Sequence, residues 1–248
     1  SVRKALDLIR AETILPQNGL IILKPNLTTR SRPPVTTDVK IVEAVYRYVR
    51  EKSAAEIAIG EGCGSGTTAD LYESLGYTDL AEKYGIRLID FNEEEAEEVT
   101  NSTARSLRTF YLPKIVQDAF IISIPVLKDH SFTRTTISLK NMFGIAPAPY
   151  YRGGWNKSAL HRPSTDVSVA DINLYKKPGL SIVDASVALT GSHLGGTPKK
   201  LGAILASSDP VAVDTLGSRL LGHNPKKLEY LRLSNNLHGS TDFQVAKG

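Results

Sequence analysis

The densest group of chemically active side chains lies in the stretch LKDHSFTRTTISLKNMFG, from Leu127 to Gly144. Lys128 and His130 are two residues apart, so an extended backbone places both side chains on one face. Lys140 follows ten residues after His130, beyond a predicted helical turn. Two ammonium groups and an imidazole favour an anion such as a carboxylate or a phosphate, and their repulsion favours proton exchange near neutral pH. We therefore predict an anion site with proton-transferring residues; the alternative is a basic surface segment.

Polar residues follow six short apolar runs, in the order LKPN, GEGCG, DFN, PVLKDH, DAS and SSDP. In an open α/β sheet, ligands bind at the carboxyl ends of the strands, because loops and helix amino termini meet there. This placement predicts one shared site for Lys24, Asn26, Glu61, Asp90, Lys128, His130, Asp184 and Asp209. The alternative for each residue is a helix cap or an ordinary strand end, and Asp209 before Pro210 has the pattern of an N-cap.

Predicted strands and helices alternate along the chain, which favours a mostly parallel sheet with helices on both faces, a Rossmann-like three-layer α/β architecture. The predicted strands are Leu20–Leu23, Ile57–Gly60, Ile86–Ile89, Ala119–Ile124, Leu180–Val183 and Ala203–Ala206. The predicted helices are Val39–Lys52, Asp70–Leu75, Leu80–Tyr84, Ser164–Tyr175 and Pro210–Leu221. We expect a single α/β domain over residues 1–248, with an inserted loop region around 143–163 that is either a binding loop or a packed surface excursion.

The stretch IAIGEGCGSGTTADL resembles a nucleotide-binding loop but lacks two of its features. It has neither the third glycine of G-x-G-x-x-G nor the lysine of a phosphate loop. The loop of class I methyltransferases is more similar, since Gly62, Gly64 and Gly66 match it, but Gly60 stands where that loop has an acidic residue. An S-adenosylmethionine-dependent methyltransferase is therefore the third hypothesis, and Glu61 is the residue of this loop that we expect to be functional.

Composition excludes several function classes. The 248 residues carry a net charge of +4, but the basic residues are scattered rather than clustered, which argues against a nucleic-acid partner. No apolar run has the ~20 residues of a membrane span. Cys63 is the only cysteine, so no iron–sulfur cluster and no disulfide is expected within this chain, and a cytoplasmic location fits best. The opening SVRKALDLIR has no signal-peptide core and suggests a piece of a longer chain.

A metal site has weaker support in the sequence. His130, His161 and several aspartates could supply nitrogen and oxygen ligands, but no two histidines have the H-x-x-x-H spacing that places them on one helical face. The cofactor is unknown; if it is a divalent metal, Asp184 and Asp209 are its candidate ligands. His193, in the glycine-containing loop TGSHLGGTP, is expected to line the same cleft.

Motifs along most of the chain, in order, are IILKPNL, TTDVKIVEAV, IGEGCG, IPVLKDHSFTRTTISLKNMFG, SIVDASVALTG and ILASSDPVAVDTLGSRLLG. In order and spacing they resemble the domain of unknown function 362 family. The resemblance implies an α/β protein with an active-site-like cleft and an association with ferredoxin-type iron–sulfur proteins, without an assigned reaction. The family motifs fall on Lys24, Asn26, Thr37, Asp38, Glu61, Gly62, Lys128, His130, Thr136, Lys140, Asn141, Gly144, His161, Asp184, Gly191, Asp209 and Asp214.

Two functional hypotheses of different classes follow. The leading one is an enzyme or cofactor-handling subunit, linked to iron–sulfur or redox metabolism, whose cleft binds a small anionic ligand. Lys128, His130 and His161 are its candidate catalytic residues, and its candidate ligand-binding residues are Lys24, Asn26, Glu61, Thr136, Lys140 and Asn141. The alternative is a non-catalytic accessory protein that docks a ferredoxin-like partner through its basic surface, which predicts salt-sensitive association.

Overall fold

An eight-stranded sheet forms the centre of the computed structural model, which describes residues 1–248. Its strands are β1 (Leu20–Pro25), β2 (Glu56–Glu61), β3 (Arg87–Asp90), β6 (Phe120–Ile124), β7 (Val126–His130), β8 (Arg134–Thr136), β9 (Leu180–Thr190) and β10 (Thr197–Ser207). Two further strands, β4 (Ala96–Thr100) and β5 (Thr109–Pro113), form a separate antiparallel ribbon.

Ten α-helices surround these strands. They are α1 (Val2–Leu8), α2 (Val39–Lys52), α3 (Thr68–Ser74), α4 (Tyr77–Tyr84), α5 (Lys114–Gln117), α6 (Ser138–Asn141), α7 (Ala148–Tyr151), α8 (Thr165–Tyr175), α9 (Pro210–Leu220) and α10 (Glu229–Ser234). Short 3₁₀ turns cover Ala11–Thr13, Met142–Ile145, Ser158–His161 and Pro225–Lys227.

The strand order shows a doubly wound α/β fold. β1 has β2 and then β3 on one side, and β6 and then β9 on the other, with all of these pairs parallel. The chain therefore reverses its winding direction between β1 and β6, the kind of position at which open α/β sheets bind ligands. Only β7–β8 and β9–β10 are antiparallel pairs in this sheet. The predicted mostly parallel, three-layer α/β architecture is confirmed.

Two apolar layers cover the faces of the sheet. In β1, Ile21 and Leu23 belong to the apolar cluster that contains the valines of α2 on one face, while Ile22 belongs to the cluster on the other face, which includes residues of α8 and α9. The strand is buried on both faces because alternate side chains point in opposite directions. Asp38 is the N-cap of helix α2, and its side chain accepts a hydrogen bond from the backbone N–H of Lys40.

Strands β6 and β7 are one run interrupted at Pro125, and both pair with β9. Ile124, the last residue of β6, is in register with Pro25, the last residue of β1. The following strand, β7, therefore extends beyond the end of β1. This extension carries Lys128 and His130 past the carboxyl edge of the central strands.

The structure corrects two expectations about where strands end. β9 is much longer than the predicted Leu180–Val183, so Asp184 lies inside it, and its Oδ1 accepts hydrogen bonds from the backbone and hydroxyl of Ser186. β10 is antiparallel, and its last residue, Ser207, pairs with Ser181 at the start of β9. Asp209 therefore follows β10 on the side where β9 begins, not at the carboxyl edge of the parallel strands.

Candidate active site

A cavity of about 390 Å³ lies at the carboxyl ends of β1 and β2, beneath the extension formed by β7. Eight of the predicted catalytic and ligand-binding residues line it: Asn26, Glu61, Lys128, His130, Thr136, Lys140, Asn141 and His161. Lys24, Asp184 and Asp209 do not line it. Of the eight residues that the sequence predicts at one shared site, the cavity brings together four, Asn26, Glu61, Lys128 and His130, from segments more than one hundred positions apart. Asp90 also lies outside the lining.

Lys24 lies behind the cavity wall in a buried ion pair with Glu61. Its Nζ is 3.0 Å from both carboxylate oxygens of Glu61 and also contacts the Asn141 Oδ1 atom at 3.3 Å. The same carboxylate accepts hydrogen bonds from the backbone N–H groups of Leu27 and Gly62. Lys24, which does not line the cavity, thus balances the charge of the Glu61 carboxylate and holds it in position.

Lys128 enters the cavity from β7 with two of its three N–H groups already used. Its Nζ donates to the Oδ1 atom of Asn26 and to the carbonyl of Val35, at 2.7 Å each. Asn26 in turn donates to the side chain of Asn141, whose amide donates to Lys24 O and to the Ser123 hydroxyl. The two asparagines therefore hold the lysines in place, and one Lys128 N–H remains for a ligand.

Lys140 lies on the cavity wall without any hydrogen-bond or ion-pair partner. Its Nζ is 3.4 Å from the centroid of the Phe143 ring, a cation–π contact. The residue is fixed by α6, whose first two backbone N–H groups, those of Ser138 and Leu139, donate to the buried carboxylate of Asp214. Asp214 is thus a positioning residue, and Lys140 offers three free N–H donors to the cavity.

Lys157 is a buried cavity residue that our sequence reasoning did not name. Its Nζ donates to three backbone carbonyls, those of Gly62, Phe143 and Gly144. These bonds join the glycine loop after β2 to the 143–163 region. The sequence signal for this role is weak, since a lysine in a loop is ordinarily solvated.

The glycines of IGEGCG and NMFG permit this crossing of two backbones. A Cβ on Gly62 would lie 2.6 Å from the carbonyl oxygen of Gly144, and a Cβ on Gly144 would overlap Glu61 and Lys24. Side chains at these positions would force the two segments apart. The glycines therefore account for the close packing around Glu61. The glycine loop itself follows β2 and not the central strand β1.

The 143–163 region is both a packed excursion and a wall of the cavity. Tyr151 and Leu160 anchor it in the core, while its cavity-lining residues are Phe143, Gly144, Trp155, Asn156, Lys157 and His161. Three short helical turns lie within the region that the sequence predicts as an inserted loop.

His130 presents a hydrogen-bond donor to the cavity. Its Nδ1 accepts the backbone N–H groups of Phe132 and Thr133, at 3.1 and 3.4 Å. The neutral ring must therefore carry its proton on Nε2. Burial and the neighbouring Lys140 lower the pKa of His130 to about 2, so the ring stays neutral.

Two more imidazoles lie beside it. His193, from the loop after β9, stacks on His130 with ring centroids 4.2 Å apart, and His161 lies at 6.3 Å. Burial and Lys140 lower the pKa of His161 to about 4, and burial and Lys128 lower that of His193 to about 4. His193 thus lines the predicted cleft. His238, outside this cluster, is buried, and its Nε2 atom is hydrogen-bonded to Ala170 O.

Burial also shifts the cavity lysines. It lowers the pKa of Lys128 to about 7, against the opposing effect of Glu61. It lowers the pKa of Lys140 to about 7, and the charges of the neighbouring lysines add to this. Lys157 is lowered to about 8 by burial. Near neutral pH, Lys128 and Lys140 therefore exchange readily between ammonium and amine.

Two buried polar atoms in this region have no partner within the protein. They are the Thr136 hydroxyl and the Nδ1 atom of His193, and both residues line the cavity. Buried polar atoms are nearly always paired, so unpaired ones at a cavity are positioned to meet a ligand or water. Together with Lys140 and Lys128, they give the cavity several hydrogen-bonding groups that no protein atom satisfies.

No group of three or more His, Cys, Asp or Glu residues in the structure is arranged to hold a metal ion. Asp209 is the N-cap of α9 and accepts hydrogen bonds from the backbone of Val211, Ala212 and Ser240. With Asp184 bonded to Ser186, neither candidate metal ligand faces the cavity.

The fold and site define an α/β protein with a lysine- and histidine-lined cleft at the carboxyl edge of its sheet. The chain belongs to the family described as domain of unknown function (DUF362), whose profile matches residues 21–219. It is also similar to a thylakoid-associated protein of Synechocystis sp., at 27% identity over 223 residues. That alignment covers 88% of this chain and 67% of the relative.

Among the ten helices, none combines the length and apolar character needed to cross a membrane.

Proposed function

We propose that this protein is an enzyme whose cavity binds a small oxyanion, a carboxylate or a phosphate, and transfers protons to or from it. The observation that supports this most directly is Lys140, an almost fully buried lysine with three free N–H donors facing the cavity. Burying an unpaired ammonium is costly, so a fold that retains one in a cavity gains from an anion that pairs with it.

The donor set fits an oxyanion. Lys140, the third N–H of Lys128 and the Nε2–H of His130 all belong to residues lining one cavity. The carboxylate of Glu61 does not compete for these donors, because Lys24 and two backbone N–H groups already bind it. Charge-assisted hydrogen bonds of this kind are about twice as strong as neutral ones.

Lys128 and Lys140 are the first candidates for transferring the proton. Because their pKa values lie at about 7, Lys128 and Lys140 can act as acids or bases at neutral pH. His130 remains neutral and serves as a fixed donor that orients the ligand. His161, whose Nδ1 lies 3.1 Å from the Thr165 hydroxyl, is the second candidate for moving a proton.

Calorimetric titration with inorganic phosphate and with acetate tests the site. Lys140→Met is expected to weaken binding of the bound anion by at least about tenfold, since a hydrogen bond to a charged group contributes ~1.5–3 kcal/mol. At pH 8, binding should also take up protons, because a bound anion raises the pKa of Lys128 and Lys140. Titrations in buffers of different ionisation enthalpy measure that uptake.

Lys200→Met is the control, since Lys200 is exposed on β10 and should leave the affinity unchanged. If Lys140→Met binds both anions as the unmodified protein does, or if neither anion binds at all, the proposed function is wrong.

The iron–sulfur association implied by the family resemblance stays a prediction. A pull-down with a ferredoxin at low and high salt tests it, and salt-sensitive capture without any anion binding would support the accessory role instead. Calorimetry with S-adenosylmethionine tests the methyltransferase hypothesis in the same series.

A further inference from the structure

The mouth of the cavity carries an apolar rim. Phe132, Trp155 and Leu194 are 57%, 54% and 46% exposed, and all three line the cavity. They come from three separate parts of the chain: the turn after β7, the 143–163 region and the loop after β9. Exposed apolar side chains are ordinary when scattered, but three on one cavity form a surface that a ligand can cover.

Aromatic rings continue from this rim to the free ammonium. The ring of His161 lies 5.2 Å from Phe132, 5.9 Å from Trp155 and 5.6 Å from Phe143, measured between centroids. Phe143 in turn is the ring that Lys140 Nζ contacts. The cavity therefore has a charged inner end and an aromatic outer end, joined by rings that are tilted against one another.

We propose that the ligand is an aromatic oxyanion, a planar ring that bears a carboxylate or a phosphate; this rests on the oxyanion site proposed above. The oxyanion binds Lys140 and Lys128, and the ring packs among Phe132, Trp155 and Leu194. Aromatic rings pack well at centroid distances of ~4.5–7 Å, so the rim offers an additional ring several partners at once. A cavity of about 390 Å³ is within the range of small-molecule sites.

Four probes distinguish the contribution of the ring to binding from that of the charge: acetate, benzoate, inorganic phosphate and phenyl phosphate. We expect the preferred oxyanion to bind about tenfold more tightly when it carries the ring. Trp155 is the only tryptophan of the chain, so its fluorescence reports directly on the rim. The ring-bearing probes should change that fluorescence much more than their ring-free counterparts do.

Two variants locate the effect. Trp155→Ala should lower the preference for the ring-bearing probe, measured as the ratio of the dissociation constants of the ring-free and ring-bearing forms of the same oxyanion. Tyr150→Ala is the matched control, because Tyr150 is 49% exposed on the same region but does not line the cavity. It should retain the full preference.

The outcomes distinguish this inference from the proposed function. If ring-bearing and ring-free probes bind equally and Trp155→Ala changes nothing, the aromatic ligand is wrong, while a Lys140-dependent anion site stands. If ring-bearing probes bind but Lys140→Met has no effect on them, the oxyanion site is wrong, and with it the aromatic oxyanion.

Discussion

Two pairs of buried lysines in this protein differ in how they use their N–H groups. Lys24 and Lys157 donate all of theirs within the chain, to Glu61 and to backbone carbonyls. Lys128 donates two, and Lys140 donates none. Burial alone therefore does not identify a ligand-binding lysine. The number of Nζ–H groups without an acceptor in the protein distinguishes structural lysines from lysines that can bind a ligand.

The largest expected effect comes from breaking the first pair. Glu61→Gln leaves the Lys24 ammonium buried without its counter-charge, and losing one member of a buried ion pair costs about 3–5 kcal/mol of the free energy of unfolding. Urea denaturation measures it. Glu51→Gln, which breaks the exposed pair with Arg3, should change stability little. Equal losses in the two variants would contradict the assignment of Lys24 and Glu61 as structural.

The stability of the protein should respond differently to Lys157→Met and to Lys140→Met. The first removes the donor of three backbone carbonyls and should lower the free energy of unfolding by at least about 2 kcal/mol. The second removes an unpaired buried charge and should leave stability unchanged or raise it. Urea denaturation of both variants in the absence of anions decides this, and a reversed order would overturn the distinction between the two kinds of lysine.

The smallest expected effect is a change in pH dependence. Between about pH 8 and pH 10, Lys140 is mostly an amine in the folded state but an ammonium in the unfolded chain, so the unfolded state binds more protons and stability rises with pH. The contribution is at most about 1.4 kcal/mol per pH unit. The rise should be less steep in Lys140→Met.

That window starts at pH 8 because burial raises the pKa of Asp214 to about 8, which gives an opposing slope at lower pH. Unfolding curves at pH 8, 9 and 10 measure how the free energy of unfolding changes with pH in the unmodified protein and in Lys140→Met. Equal slopes in the two proteins would mean that Lys140 is not desolvated.

Much of the fold could be predicted because its strands are short apolar runs and its helices have clear caps. Helix α2 occupies the predicted Val39–Lys52 without change. The strands β7 and β8 could not be predicted, since Lys128, His130 and Thr136 interrupt any apolar pattern there. The antiparallel direction of β10 was equally hidden, because direction depends on how β9 and β10 pair and not on the pattern of either strand.

The position of Asp209 was predicted wrongly because the direction of β10 could not be predicted. As a residue after an apolar run it has the pattern of a site residue, yet the reversal of β10 removes it from the carboxyl edge. Its N-cap pattern, by contrast, depends only on neighbours in the chain, and the structure shows that cap.

The amino-acid sequence was sufficient to predict the α/β class, the family and eight of the residues that line one cavity, because these depend on local apolar patterns and on motifs after strands. The three-dimensional structure was needed to show which lysines keep free donors, that Lys157 joins two loops, and that Trp155 and Phe132 line the same cavity as Lys140. The physical reason is that hydrogen-bond partners and cavity walls come from segments far apart in the chain, so no local pattern records whether a buried donor is satisfied.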